Sequence, residues 1–209
     1  MERQDRERKK IKLKMKIFDL YETDAIAVND PGLKRVINLN SKLVLKTHGR
    51  IKGNFSATKI NIVERLANLL GVPGHRLKKH KVMTPRASGK FTRNMQIVLQ
   101  AFKIIEEKTK ENPVQVLVRA VEKASPREEV TVIEYGGAKY PQAVDTSPVR
   151  RVALVLRLIV HGAYDKSFNK KAKIEETLAN EIVLAANESG ESGAIMKKNE
   201  MEKSANSAR

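Results

Sequence analysis

Residues 112–148 read NPVQVLVRAVEKASPREEVTVIEYGGAKYPQAVDTSP, and the fold can be worked out from this stretch. It begins with Asn and Pro, the usual cap and first residue of a helix, and its apolar residues keep helical spacing to about Ala124. Two runs of β-forming residues follow, joined by Gly136-Gly137. Because Gly-Gly suits a tight turn with positive φ, these runs predict a β-hairpin over about residues 129–145. Ser147-Pro148 then signals another helix.

Amphipathic spacing predicts further helices on both sides of this hairpin. Asn61 is a candidate cap for the earliest of them, and Thr92 could open the next. The predicted spans are 59–70, about 92–109, 114 to about 124, 148 to about 162, 174–186 and 195–205. A two-stranded hairpin is marginally stable alone, so we expect it to lean on the helices while its glycine tip projects. The fold class is therefore mainly α.

Positive charge is concentrated between residues 41 and 100. The 209 residues include 41 Lys or Arg and 24 Asp or Glu, a net charge of +17. Residues 41–100 hold thirteen basic residues and one acidic residue, whereas residues 101–209 are nearly balanced at +2. Such a segment repels itself unless a partner supplies negative charge. Nucleic acid is the usual partner, and a membrane surface is disfavoured because the cations do not form one face of an amphipathic helix.

Several kinds of chemistry are not indicated by the sequence. There is no Cys, and the four His residues lack the neighbours that a metal site needs. Gly89-Lys90 does not complete a phosphate-binding loop, because Thr84 and Phe91 stand where Gly and Ser or Thr are required. No apolar run is long enough for a membrane span, and residues 1–16 do not resemble a secretory signal. We expect no enzyme activity, cofactor or metal, and a cytoplasmic location.

A set of motifs resembles one protein family. The C-terminal motifs are Asn112–Leu117 (NPVQVL), Pro126–Val130 (PREEV), Tyr135–Ala138 (YGGA), Ser147–Arg151 (SPVRR) and Ala194–Lys198 (AIMKK). Together they resemble the S-seven family of small-subunit ribosomal proteins. Pro31–Arg35 (PGLKR) and Ile62–Leu66 (IVERL) resemble its archaeal and eukaryotic branch, called S-five in eukaryotes. The resemblance covers roughly residues 17–209.

The resemblance implies both a fold and a role. The family fold is a six-helix bundle with a protruding β-hairpin between the third and fourth helices and, here, a basic N-terminal extension. Its members bind the 3′ major (head) domain of small-subunit rRNA, nucleate head assembly, and lie by the exit tRNA site and the mRNA exit path. The implied partners are rRNA, exit-site tRNA, mRNA and neighbouring small-subunit proteins. A homo-oligomer or a membrane partner is not implied.

The resemblance also implies site residues. The rRNA-binding candidates in the arm and loops are Lys9, Lys10, Lys12, Lys14, Lys42, Lys46, Arg50, Lys52, Arg76, Lys78, Lys79, Lys81, Arg86, Lys90 and Arg93. Arg127, Arg150 and Arg151 are candidates near the hairpin base. The hairpin tip near tRNA or mRNA would be Gly136, Gly137, Ala138, Lys139 and Tyr140. Tyr135 and Tyr140 either stack on a base or pack across the hairpin.

Three segments are expected along the chain. Residues 1–16 form a basic arm, residues 17–58 form an archaeal/eukaryotic-type segment with an RNA-binding loop, and residues 59–209 form the helical core with the hairpin. One other function remains open, namely a free basic DNA- or chromatin-binding protein. Equal affinity for head rRNA and duplex DNA at every salt concentration would favour that alternative.

Overall fold

A computed structural model describes residues 16–42, 44–53, 55–73 and 89–209. Within these residues it has seven α-helices, a 3-10 helix at Ser56–Lys59 and one antiparallel hairpin. In chain order they are α1 (Pro31–Lys34), α2 (Ile62–Leu70), α3 (Phe91–Thr109), α4 (Pro113–Ala124), β1 (Glu128–Tyr135), β2 (Ala138–Asp145), α5 (Pro148–Ser167), α6 (Ile174–Ala186) and α7 (Gly193–Ser207). Because α1 is a single turn, the six longer helices and the hairpin between their third and fourth members confirm the predicted mainly α fold.

Helix starts follow the capping signals at some positions and depart from them at others. The side chains of Asn61 and Asn112 accept hydrogen bonds from the backbone N–H of Val63 (2.9 Å) and Val114 (3.0 Å), as predicted. Helix α3 begins at Phe91, one residue before the predicted Thr92. Ser147 precedes α5 but makes no capping hydrogen bond with its side chain, so Pro148 sets that start alone.

The core forms around α6, which packs against α3, α4, α5 and α7. The segment before α2 belongs to the same core, because Ile17, Tyr21 and Leu33 are buried in the one hydrophobic cluster. The ring of Tyr21 meets that of Phe102 edge-on at 6.0 Å, and its hydroxyl donates to Glu106 at 3.1 Å. Burial and this hydrogen bond raise the pKa of Tyr21 to about 12. Tyr21 therefore joins the N-terminal segment to α3 as a neutral donor.

A buried carboxylate joins the last three helices. Glu181 on α6 is fully buried. Its Oε1 accepts from the Ser192 hydroxyl (2.8 Å) and from the Ala194 backbone N–H (3.2 Å), at the start of α7. Its Oε2 accepts from Lys166 Nζ on α5 at 2.7 Å. Because each oxygen has a partner, the carboxylate can be buried without the large cost of an unpaired charge.

Helix α5 runs longer than predicted. It continues to Ser167, whereas the sequence placed its end at about Gly162. Gly162 is a packing residue here, because a β-carbon at this position would lie 2.9 Å from Cδ and Oε1 of Glu181. The glycine allows α6 to approach α5 closely and does not end the helix. His161, next to the predicted helix end at about Gly162, consequently lies inside α5.

The hairpin confirms its predicted position and turn. Gly136 and Gly137 have φ of 58° and 81°, the positive values that a two-residue hairpin turn needs. Every residue from 130 to 142 is exposed, so the outer part of the hairpin projects. Its base leans on α7, because the Arg127 backbone N–H donates to Glu202 Oε1 at 3.0 Å and Arg209 pairs with Glu128.

We predict that Gly162→Ala destabilises the protein by about 1–3 kcal/mol, because the added methyl group collides with the immobile Glu181 carboxylate. This loss should exceed the roughly 1 kcal/mol that alanine gains over glycine inside a helix. Urea unfolding followed by circular dichroism measures the change. Gly190→Ala is the control, because a β-carbon there meets no atom within 4 Å. Equal stability of wild type and Gly162→Ala would show that the contact is not rigid.

Candidate nucleic-acid interface

The described residues between 31 and 105 include no exposed carboxylate. This stretch holds sixteen basic residues and a single acidic one, Glu64. Glu64 is only 3% exposed, and it accepts hydrogen bonds from the Thr47 backbone N–H (2.7 Å) and hydroxyl (2.8 Å). The one carboxylate is therefore used inside the fold to hold the basic loop at residues 44–53. Of the basic residues that the structure describes in this stretch, Arg65 is buried and the others are exposed.

The basic loop lies next to the start of α3. Lys46 Nζ sits 5.4 Å from the centre of the Phe91 ring, a cation–π contact. The end of α2 approaches the same place, because a β-carbon at Gly71 would lie 3.0 Å from Asn94 Nδ2. Lys90 and Arg93 lie close to Phe91 in the chain, at the start of α3. Lys46, Lys90 and Arg93, which the sequence predicts to bind rRNA, are all exposed.

The other predicted loop residues lie exposed on the same segment. Lys42, Arg50 and Lys52 form no ion pair among the residues that the structure describes, and all three are exposed. Free ammonium and guanidinium groups of this kind can exchange their counterions for phosphates. Nine other predicted residues lie outside the described ranges, namely Lys9, Lys10, Lys12, Lys14, Arg76, Lys78, Lys79, Lys81 and Arg86.

The arginines near the hairpin have protein partners. Arg150 Nε lies 2.6 Å from Glu129 Oε1. Arg151, whose side chain is 13% exposed, donates to Asp30 Oδ2 (3.0 Å) and to the Ser125 hydroxyl (2.8 Å). Arg151 thus joins α1, the end of α4 and α5. The side chain of Arg127 is exposed at the hairpin base. The rRNA contacts of these three arginines stay a prediction.

The hairpin tip is open on every side. A β-carbon at Gly136 or Gly137 would meet no atom within 4 Å. Tyr135 is 82% exposed and Tyr140 is 59% exposed. In the register, Tyr135 lies opposite Ala138 and Tyr140 opposite Ile133, so the two tyrosines are not direct cross-strand partners. Both rings are available to a partner outside the chain.

Sequence reasoning missed several candidate residues before α2. Lys34 and Arg35 are exposed at the end of α1, and Lys59 is exposed at the end of the 3-10 helix. Phe55 is exposed beside the basic loop. One signal could have found the three basic residues, because residues 31–63 contain seven basic residues and no acidic residue. The spacing of apolar residues, which predicts helices, gives no information about a stretch that is distinguished only by its charge.

The described residues offer little else for chemistry. They contain no group of three or more His, Asp or Glu that could hold a metal ion. None of their helices is long and apolar enough to cross a membrane. Burial lowers the pKa of Arg65, which is one of the buried residues of α2.

Residues 34–209 match the family model described as ribosomal protein S7p/S5e. The chain belongs to this family. It is 48% identical to small ribosomal subunit protein uS7 of Nanoarchaeum equitans over 198 residues, which cover 94% of this chain and all of the relative. It is 50% identical to uS7 of Methanothermobacter thermautotrophicus over 194 residues, covering 92% of this chain and 98% of that protein. The uS7 of Picrophilus torridus is 46% identical over 195 residues.

Family membership confirms the resemblance inferred from the motifs. Members of the S7p/S5e family are structural proteins of the small ribosomal subunit, so the chain is a non-enzymatic ribosomal protein of the translation machinery. Its location on cytoplasmic ribosomes follows from the same relatives. Ribosomal RNA and other ribosomal proteins are its partners.

We predict that Glu64→Ala loosens the basic loop, because the Thr47 backbone N–H and hydroxyl lose their acceptor. Stability should fall by about 1–3 kcal/mol. Trypsin should cut after Arg50 and Lys52 several-fold faster, which mass spectrometry of the fragments measures. Glu107→Ala, at an exposed position of α3, is the matched control and should leave both rates unchanged. Unchanged cleavage in Glu64→Ala would mean that the loop is held by other contacts.

Proposed function

We propose that the chain binds the 3′ major domain of small-subunit rRNA and nucleates assembly of the subunit head. The observation that carries this proposal is the surface formed by residues 31–105, whose only carboxylate is buried under Thr47. Each phosphate that such a surface neutralises releases counterions, and this release favours binding. Among the possible anionic partners, membership of a ribosomal protein family favours RNA of the small subunit.

The arrangement suits recognition of folded RNA. The helical core is rigid, and the cations stand on loops and at helix starts around it. Arginine can hold a phosphate with two parallel hydrogen bonds, whereas lysine acts as a point charge. Phosphate contacts fix position, so specificity comes from the shape of the RNA that places its phosphates against these loops.

The hairpin supports a second part of the proposal. Its outer half is exposed from residue 130 to 142, and its tip carries two glycines that let another backbone come close. We propose that residues Gly136–Tyr140 lie by exit-site tRNA and the mRNA exit path. Because the base of the hairpin is held by α7, the tip can reach away from the head rRNA without disturbing the core.

Reversing three charges of the basic loop tests the rRNA interface. We expect Lys46, Arg50 and Lys52, all changed to Glu, to weaken binding to a transcript of the 3′ major domain by roughly 10- to 1,000-fold. The slope of log Kd against log salt should fall by about 2, because three phosphate contacts are lost. Filter binding across a salt series measures both quantities.

The control reverses Lys170, Lys171 and Lys173, which are equally exposed between α5 and α6. It makes the same change in net charge on a different surface, and it should leave the slope nearly unchanged. Equal losses in both variants would show that only net charge matters, which contradicts a site at the loop. Equal wild-type affinity for the transcript and for duplex DNA at every salt concentration would favour a free DNA-binding protein.

Shortening the hairpin tests the second part. Deleting Gly136–Tyr140 should leave the affinity for the head transcript within about twofold, because these residues lie far from the basic loop in the chain and contact no part of the core. Subunits reconstituted with the deletion should hold exit-site tRNA or mRNA less well, as measured by chemical footprinting. The double variant in which Tyr135 and Tyr140 are changed to Ser keeps the full length of the hairpin. It therefore separates the effect of losing the two rings from the effect of shortening the hairpin. Failure of head assembly in the deletion variant would contradict this assignment.

A further inference from the structure

Phe55 stands out among the phenylalanines of this chain. Phe102 is fully buried, and Phe18 and Phe91 pack against the core. Phe168 is 39% exposed, and its ring centre lies 5.9 Å from that of Tyr164. Phe55, in contrast, is 71% exposed. An aromatic ring left in water forgoes the hydrophobic stabilisation that burial would bring. An exposed ring inside a basic segment therefore indicates a contact with a partner.

The backbone holds this ring outward. The backbone of Phe55 adopts the left-handed conformation, with φ 58° and ψ 19°, which residues other than Gly rarely take. Its carbonyl accepts from the Thr58 backbone N–H (3.0 Å) and from the Thr58 hydroxyl (2.8 Å). These bonds fasten it to the start of the 3-10 helix at Ser56–Lys59. Strained residues that the surroundings hold in place are common at binding sites.

Thr58, which hydrogen-bonds the Phe55 carbonyl, also lines an open groove. Its volume is about 400 Å³, and its lining includes Lys34, Arg35, Asn38, Asn40 and Thr58. The side chain of Asn38 fixes the groove, because it donates to the Lys59 carbonyl (2.9 Å) and accepts from the Asn40 backbone N–H (2.8 Å). The volume falls in the roughly 300–1,000 Å³ range of ligand sites.

We propose that Phe55 is a base-stacking residue for an unpaired nucleotide of rRNA, whose neighbouring phosphates contact the groove cations Lys34 and Arg35. This inference rests on the rRNA binding proposed above. A single-stranded segment is the occupant because its bases offer free faces to the ring, whereas the bases of a duplex are already stacked. The surrounding charge agrees, since residues 31–63 contain seven basic residues and no acidic residue.

The chain contains no tryptophan, which makes a direct optical test possible. In Phe55→Trp, the single indole reports stacking as quenched fluorescence when the 3′ major domain transcript is added. The matched control is Phe168→Trp, an exposed position close to Lys170, Lys171 and Lys173 whose ring lies near Tyr164. We expect strong quenching in the first variant and little in the second.

Affinity provides the second measurement. Phe55→Leu should weaken binding to the transcript roughly 5- to 150-fold, the range for loss of one base stack. Its salt slope should equal that of wild type, because no phosphate contact is removed. Circular dichroism and urea unfolding check that each variant folds.

The outcomes separate this inference from the proposed function. If wild type binds the transcript but Phe55→Trp is not quenched and Phe55→Leu binds as tightly as wild type, base stacking is wrong and rRNA binding stands. If wild type itself does not bind the transcript, the proposed function fails and the stacking site fails with it. Equal quenching at positions 55 and 168 would also overturn the proposal, because it would show nonspecific contact with RNA.

Discussion

A fully buried carboxylate holds the C-terminal half of this fold together. Glu181 takes hydrogen bonds from α5 and from the start of α7 while it sits on the central helix α6. Helix α7 in turn supports the hairpin base through Glu202 and Arg209. The direction in which the hairpin projects therefore depends on a contact deep in the core. A surface-exposed ion pair could not do this, because solvent would screen it and leave the helices free to shift.

The two halves of the chain use charge in opposite ways. In the C-terminal half, carboxylates pair with cations between elements, as Glu129 does with Arg150. In residues 31–105, the single carboxylate is turned inward to Thr47, and the described cations other than Arg65 are exposed, where an external anion can reach them. The first arrangement stabilises the isolated protein. The second costs stability through self-repulsion, and this cost is recovered when RNA supplies the phosphates.

Much of the fold could be predicted because local signals agreed with tertiary packing. The structure confirms the helix caps predicted at Asn61 and Asn112. It also confirms the hairpin turn predicted at Gly136-Gly137. Prediction failed where distant residues decided the outcome. A glycine late in a helical pattern favours a helix end, but Gly162 lies inside α5 because it packs against Glu181 on α6. The sequence does not indicate this contact, since a glutamate in a helical pattern normally lies on a solvated face.

The candidate site was predictable in composition and less so in geometry. The excess of cations indicated Lys42, Lys46, Arg50, Lys52, Lys90 and Arg93. Only the fold shows that Lys46 lies over the Phe91 ring at the start of α3, and that Arg151 already has partners in Asp30 and Ser125. Phe55 escaped notice because nothing in a single sequence distinguishes an aromatic side chain that will be buried from one that the backbone turns outward.

The support of the hairpin by α7 has a consequence for the order of events during synthesis. Residues 128–145 are synthesised before residues 202–209. Until then Glu128 and the Arg127 backbone lack their partners, and a two-stranded ribbon has little stability of its own. The nascent chain can thus bind RNA through its basic loop before α7 is complete. The hairpin is held in its final direction only afterwards.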